Sequence, residues 1–533
     1  MHWADVIATK LAEKGDTHVI ASGITPSGEF HIGHLREILT ADIITRACKA
    51  RGMNVEFVFI VDSADPLRKV YDFLDTAYEA YIGHQLGRIP APDSDGKPGD
   101  GSTSYTEHFL GPFLNALSQI GVTPTVVDNL QCYHDGDFAE AAKHVCENVD
   151  SVREIIERVS GRELAADWFP YNPLGSNGSM DGVTVTGYEW PNVHWVDSDG
   201  GEGSADIRTA EGKLPWRLDW PARWGFHGIS CEPFGKDHGA AGGSYDTGRE
   251  VALLLGNEPP MPLTYEWISL KGVGAMSSSS GVSIGPLEAL RLVPPEILRY
   301  LIARNKPNRH IDFDTGTSLI ELADEYQRRL TASQPSAEEY EAMSRRQKVA
   351  LEDIAAQLLY SRIREEDEGD TGRLVSFRHL GMLAQVRAKD ADVWGCLVGS
   401  GHIGSADDPP ADLADRLSRM RAWIGSEHFP EEFRLNIQST PTSDAMQNID
   451  SDAIPYLSNL RDALTECEWG EVAIHDQVCN EAKKLELRLG DAFKMLYWLI
   501  LDKHRGPKLA SIIAQMDRAD VVGLLDSAIS ELH

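Results

Sequence analysis

The chain has 533 residues, 42% of them hydrophobic, which suffices for two to four domains with buried cores and argues against disorder. With 50 basic against 82 acidic residues the formal charge is -32, so bulk attraction to phosphate is excluded; an RNA would need a local basic stripe, and solubility alone accounts for the acidity equally well. The cysteines (Cys48, Cys132, Cys146, Cys231, Cys396, Cys467, Cys479) form no C-x-x-C pair, the amino terminus carries no basic-then-apolar leader, and no run of eighteen apolar residues occurs, so the expectation is a reduced cytoplasmic protein without membrane contact.

In chain order, an apolar run from Asp16 to Ala21 stops at Ser22-Gly23, a Thr25-Pro26-Ser27-Gly28 turn follows, and Leu35, Ile38, Leu39, Ile43 and Ile44 then recur at helical spacing. A second, almost wholly apolar run from Val55 to Val61 suits a buried parallel strand, and the three pieces make the βαβ start of a doubly wound α/β domain. A polar, Gly/Pro-rich segment lies at Pro90 to Thr103, and Thr123 to Val127 reads as another strand. Residues 130–215 read as an inserted, partly β module, with Tyr188, Trp190 and Trp195 in an alternating stretch. The sheet domain, begun in 1–129, resumes over 216–260; residues 261–335 connect it to long amphipathic stretches over 336–533 that predict an all-helical domain.

The densest chemical signal is Gly23 to His34. His31-Ile32-Gly33-His34 sits where a loop enters a helix, whose unpaired N–H groups and positive dipole end favour phosphate. Gly33 leaves room for an adenine or ribose, and the two imidazoles at i and i+3 face one way, so they either stabilise charge on an α-phosphate or merely decorate a helix start. Gly235-Lys236-Asp237-His238-Gly239 places a carboxylate, Asp237, in a glycine turn where it could accept both ribose hydroxyls; Lys236 and His238 could instead face solvent. The stretch Lys271 to Gly281 is either a loop that gathers round a triphosphate or a solvated linker. Asp62 and Asp65, after the second strand, could take a substrate ammonium or a cationic side chain, or Asp62 could cap a helix. Tyr265 and Trp267 could wall a hydrocarbon chain or pack in the core. Arg291, Arg299, Arg304, Lys306 and Arg309 form either an RNA-facing patch, with Tyr300 or Trp498 to stack on a base, or a solvated face.

These segments resemble the class I aminoacyl-tRNA synthetases: His31 to His34 is their HIGH signature, and Ala275 to Ser279 stands where they carry KMSKS. Met1 to Asp5, Gly23 to Gly28, Arg217 to Trp224, Phe234 to Gly248 and Arg304 to Asn308 are similar to the class I lysyl-tRNA synthetases, over residues 1–330 at least and more loosely to the end. The resemblance implies a Rossmann-type catalytic domain, an inserted acceptor-stem module, a stem-contact region and an α-helical anticodon-binding domain. It also implies lysylation of tRNA(Lys) by L-lysine and ATP with Mg2+, by a protein expected to be a monomer. It assigns His31 and His34, with Lys271, Ser277, Ser278 and Ser279, to catalysis; Thr25, Ser27, Gly33, Gly235, Asp237 and Met276 to the nucleotide; and Gly23, Thr25, Asp62, Asp65, His238, Tyr265 and Trp267 to the amino acid. Two departures stand out. Both signature lysines are missing from Ala275-Met276-Ser277-Ser278-Ser279, and no cysteine occurs between Asp167 and Asp197, where some relatives carry a zinc knuckle, so no structural zinc is expected. Alternatives are a class I synthetase of other specificity, a tRNA-binding paralogue without catalysis, or an unrelated nucleotidyltransferase.

Overall fold

A computed structural model describes residues 1–270, 274–275, 284–332, 335–364 and 375–533, with only the backbone of 274–275. Two compact units result: Met1–Leu290 with Pro295–Phe313 and Gln334–Glu366, and Arg291–Pro294 with Asp314–Ser333 and Asp367–His533.

The first unit is built on strands β1 (Thr17–Ile24), β2 (Asn54–Val61) and β3 (Thr125–Asp128) and, after an insertion, β7 (Ile229–Gly235) and β8 (Met261–Tyr265). Their order is β8-β7-β1-β2-β3 and every pairing is parallel. Chain order therefore reverses direction between β1 and β7, the point at which such sheets open a crevice beyond their carboxyl ends. Both faces of β1 and β2 are covered, which is why these strands are nearly continuous runs of apolar residues. Helix α1 (Trp3–Ala12) and helix α2 (His34–Lys49) pack on each other, α2 burying Leu35, Ile38, Leu39, Ile43 and Ile44, the face expected from their spacing. The sheet runs past residue 260, because β8 is its edge strand; Pro262 is tolerated there since one side of an edge strand needs no ladder donor.

The inserted segment combines helices, including α4 (Val149–Ser160), with an antiparallel sheet of β4 (Thr184–Glu189), β5 (Asn192–Val196) and β6 (Glu202–Asp206). It shares one apolar core, containing Tyr133, Phe138, Ile156, Tyr171 and Leu214, with Leu218 of α5 (Trp216–Phe226) and Val251 of α6 (Ser244–Leu254). The described part of the second unit is helical, around a core that includes Leu457, Leu460, Leu496, Leu499 and Leu525. The fold is thus the expected α/β class, a Rossmann-type sheet with an inserted module and a helical carboxyl-terminal region. Among the described residues no helix is long and apolar enough to cross a membrane.

The structure corrects the basic patch expected near residue 300. Arg299 is fully buried: it pairs with Asp42 and donates to the carbonyl oxygens of Tyr360 (3.1 Å) and Ile120 (3.3 Å), and Tyr300 is also fully buried. A guanidinium with five donors suits this task, since it satisfies several buried acceptors at once, but neither residue can meet an RNA. Arg299→Ala, which leaves two buried carbonyls without their donor and Asp42 with Arg46 as its remaining partner, is expected to cost about 3 kcal/mol in urea denaturation. Arg309→Ala, at an exposed position, should change stability by less than about 0.5 kcal/mol.

Candidate active site

The loop from β1 into α2 is held by its own backbone. Ile32 is buried and donates its N–H to the Ile284 carbonyl (2.9 Å), and Phe30 stacks on Phe113 with ring centres 4.2 Å apart. This clamp leaves His31 and His34 side by side, ring centres 4.0 Å apart. The backbone N–H of Gly33 donates to Nδ1 of His31, and that of His31 donates to Nδ1 of His34, both at 3.1 Å. Nδ1 of His31 is therefore an acceptor, which assigns its proton to Nε2; Nδ1 of His34 also lies 3.2 Å from the His31 carbonyl oxygen, so that ring can carry its proton on either nitrogen. Burial lowers His31 to about 4; burial and the neighbouring His31 lower His34 to about 3. At neutral pH the helix mouth thus offers two uncharged imidazoles beside its dipole end.

Three residues beyond His34, on the same helical face, stands Glu37. Its carboxylate accepts from Tyr265 Oη (2.8 Å), the Gly23 N–H (3.1 Å) and Ser22 Oγ (3.2 Å). Burial raises it to about 7, because among the described residues no cation pairs with it. Glu232 of β7 is likewise raised to about 7 by burial; it accepts from the indole N–H groups of Trp220 (3.0 Å) and Trp224 (2.6 Å). Glu37 and Glu232, with Trp216, Trp220, Tyr265 and His238, border an inner cavity of about 130 Å3. Gly23, Glu37, Trp216 and His238 also line an outer cleft of about 690 Å3 that reaches Thr25, His34, Asp62 and Asp65.

Asp62 and Asp65 thus lie on the cleft, but each is already engaged. Asp62 pairs with Arg223 and Asp65 with Lys213; Asp219 pairs with Arg223, lies 3.9 Å from Lys213 and accepts from Tyr133 Oη at 2.5 Å. All five charged side chains are buried, so each cation offsets the desolvation of its partners. Thr25 Oγ1 donates to Asp65 at 3.1 Å, which fixes the strand-end turn, and the Ser27 carbonyl accepts from Tyr105 Oη at 2.8 Å. At the other side of β1, Gly235 has no room for a side chain: a Cβ there would lie 2.7 Å from Asp237 Oδ1 and 3.3 Å from the Trp267 indole nitrogen. Asp237 is more than half exposed and lies 3.8 Å from His238 Nε2, and Trp267 is 44% exposed under the Lys236 ammonium. Lys271, Met276, Ser277, Ser278 and Ser279 lie outside the described residues.

The structure accordingly gathers Gly23, Thr25, His34, Asp62, Asp65 and His238 around one cleft, and Gly23, Gly235, Asp237, His238, Tyr265 and Trp267 around the cavity behind it. Sequence reasoning missed Glu37, Glu232, Trp216, Trp220, Lys213 and Arg223. Glu37 carried one usable signal, its i+3 spacing from His34; in an acidic chain it otherwise reads as an ordinary first-turn acid.

Comparison with known proteins places the chain in a family. A lysine–tRNA ligase of Picrophilus torridus is 35% identical over 100% of both chains. A lysine–tRNA ligase of Methanosarcina barkeri is 46% identical over 62% of this chain and 60% of its own. Among solved structures, a glutamate tRNA ligase from Elizabethkingia meningosepticum covers 97% of this chain and 100% of its own, at 10% identity and a TM-score of 0.45. Residues 1–353 match the family described as tRNA synthetases class I (K), and with the helix-mouth histidines in place the chain belongs to that family.

Proposed function

We propose that the protein is a lysine–tRNA ligase, which joins L-lysine to ATP as lysyl-adenylate and then transfers the lysyl group to tRNA(Lys). The observation that carries this reading is Glu37: a buried carboxylate without a cation, beside a cavity walled by Trp216, Trp220 and Tyr265, suits an ammonium on a hydrocarbon chain. The full-length likeness to lysine–tRNA ligases supports the same specificity.

In the first step an oxygen of the lysine carboxylate attacks the α-phosphorus, the bond to the bridging oxygen breaks, and pyrophosphate leaves. Ring N–H groups of His31 and His34 donate to phosphate oxygens as charge builds there, with no proton transferred. Gly235 and Asp237 receive the ribose, and Gly23 and Thr25 shape the passage between the two cavities. In the second step a terminal ribose hydroxyl of the RNA attacks the acyl carbon and AMP leaves; positioning does most of the work, since the anhydride already carries a good leaving group. Mg2+ would enter with ATP as part of that substrate and would supply charge neutralisation at the phosphates, and no step is assigned to it. The inserted module is assigned to the acceptor stem, the segment after β8 to the stem, the helical unit to the anticodon, and the protein to the cytoplasm as a monomer.

The direct test is charging of total tRNA with each amino acid in turn: lysine alone should be accepted, and acceptance of another amino acid, or of none, would overturn the reading. His34→Ala should slow lysine-dependent exchange of pyrophosphate into ATP, assayed with tRNA present, on the order of 100-fold or more while leaving thermal melting nearly unchanged. Glu37→Gln should raise KM for lysine on the order of 10- to 100-fold with KM for ATP within about twofold, the signature of a lost charge-assisted bond to the ammonium. Because a cationic ligand binds the ionised carboxylate, and Glu37 in the free protein sits at about 7, affinity is full above that pH and is lost as pH falls. KM for lysine should therefore rise roughly fivefold from pH 7 to 6 in the wild type, and Glu37→Gln should remove that rise.

A further inference from the structure

In a chain with a charge of -32, several guanidiniums are neutralised: Arg68 on the outer cleft by Asp65 at 3.7 Å, Arg223 on the inner cavity by Asp62 and Asp219, and, on α4 of the inserted module, Arg158 by Glu250 at 2.5 Å and Arg153 by Glu157 at 3.6 Å. Two are different. Arg162, just beyond α4 in the inserted module, and Arg217, in the first turn of α5, both line the cleft together with Trp168, Ser244 and His34. Among the described residues neither has a carboxylate within 4.0 Å, and Arg217 is steadied instead by a neutral bond from Nη1 to Thr247 Oγ1 (3.1 Å). The charge that acts on Arg217 is Arg162 itself, which adds to burial in lowering its pKa. Like charges brought together without a counter-charge cost free energy that an anion shared between them recovers.

We propose that Arg162 and Arg217 grip the phosphodiester preceding the terminal nucleotide of the RNA, holding its ribose in the cleft before His34. This assignment rests on the lysine–tRNA ligase reading. The ligand chemistry is a phosphate oxyanion, for which ATP is the other source. The RNA is favoured because the phosphates of ATP already have the donors of His31 and His34, whereas Arg162 is carried by the inserted module and not by the sheet. A guanidinium suits a phosphodiester because it donates two parallel bonds to two oxygens.

The experiment is a cycle between protein and RNA. Affinities of the wild type, R162Q, R217Q and R162Q/R217Q are measured for a full tRNA(Lys) transcript and for the same transcript lacking its terminal adenosine and that nucleotide's phosphate. Trimming should weaken wild-type binding about tenfold, the double substitution should weaken binding of the intact transcript by a similar factor, and the trimmed transcript should bind both proteins alike. KM values for ATP and lysine should stay within about twofold. Equal weakening of both transcripts overturns the site, and so does a rise in KM for ATP at unchanged RNA affinity, which would assign the arginines to the triphosphate. R162Q, at an exposed position, retains native melting and should alone show about a threefold loss restricted to the intact transcript, so the outcome does not hang on the folding of the double variant. Failure of the wild type to charge any tRNA with lysine would sink the functional reading, while the binding cycle, which needs no charging, would still decide the arginine site.

Discussion

Two consecutive side chains at the start of α2, Arg36 and Glu37, tie the catalytic helix mouth to the rest of the first unit. Arg36 is buried and donates to the carbonyl oxygens of Pro307 (3.0 Å) and Lys306 (3.2 Å), and Glu37 reaches across to Gly23 and Tyr265. One residue anchors the helix to a chain segment some 270 positions away, and the next anchors it to the ends of β1 and β8. The histidines one turn earlier inherit that placement. Their ring positions are set by contacts to the backbone of the same loop, so the site is organised before any ligand arrives, and this is the condition under which fixed donors stabilise a transition state effectively.

The group of Asp62, Asp65, Lys213, Asp219 and Arg223 serves the same end at a thermodynamic cost. Three carboxylates and two cations out of water give back much of their mutual attraction in lost hydration, and an apolar replacement of similar volume could be as stable. What an apolar replacement could not do is hold Thr25, whose hydroxyl is bonded to Asp65, at the turn where strand β1 ends. The network joins β1, the loop after β2, the inserted module and α5 at one point, so its value lies in geometry.

Much of the fold was legible because its cues are local. Alternating and continuous apolar runs marked β1 and β2, the Leu35 to Ile44 spacing marked α2, and the glycine-bearing turn between them marked the crevice. The edge strand β8 was harder to bound, since Met-Pro-Leu-Thr-Tyr is short and carries a proline; pairing with β7 creates it. In the site, His31, His34, Asp237 and Tyr265 sit in motifs with distinctive spacing, whereas Lys213, Arg223 and Glu232 become neighbours only through the tertiary fold. The arginine patch misled for the same reason: Arg299 stands in a basic stretch of sequence, yet its destination is decided by Asp42, 257 positions earlier. Exposure of a charged residue is a property of the packed chain and is poorly encoded in its immediate neighbours.

The suppressed basicity of the two imidazoles bears on how activity should vary with acidity. Groups that stay neutral until roughly pH 4 contribute nothing to a rate profile across the physiological range, where histidines would ordinarily dominate. The inflection near neutrality expected from the proposed role of Glu37 is then not masked by these two rings. A kinetic titration of this enzyme becomes a readout of substrate selection, separated by the fold from the phosphate chemistry next door.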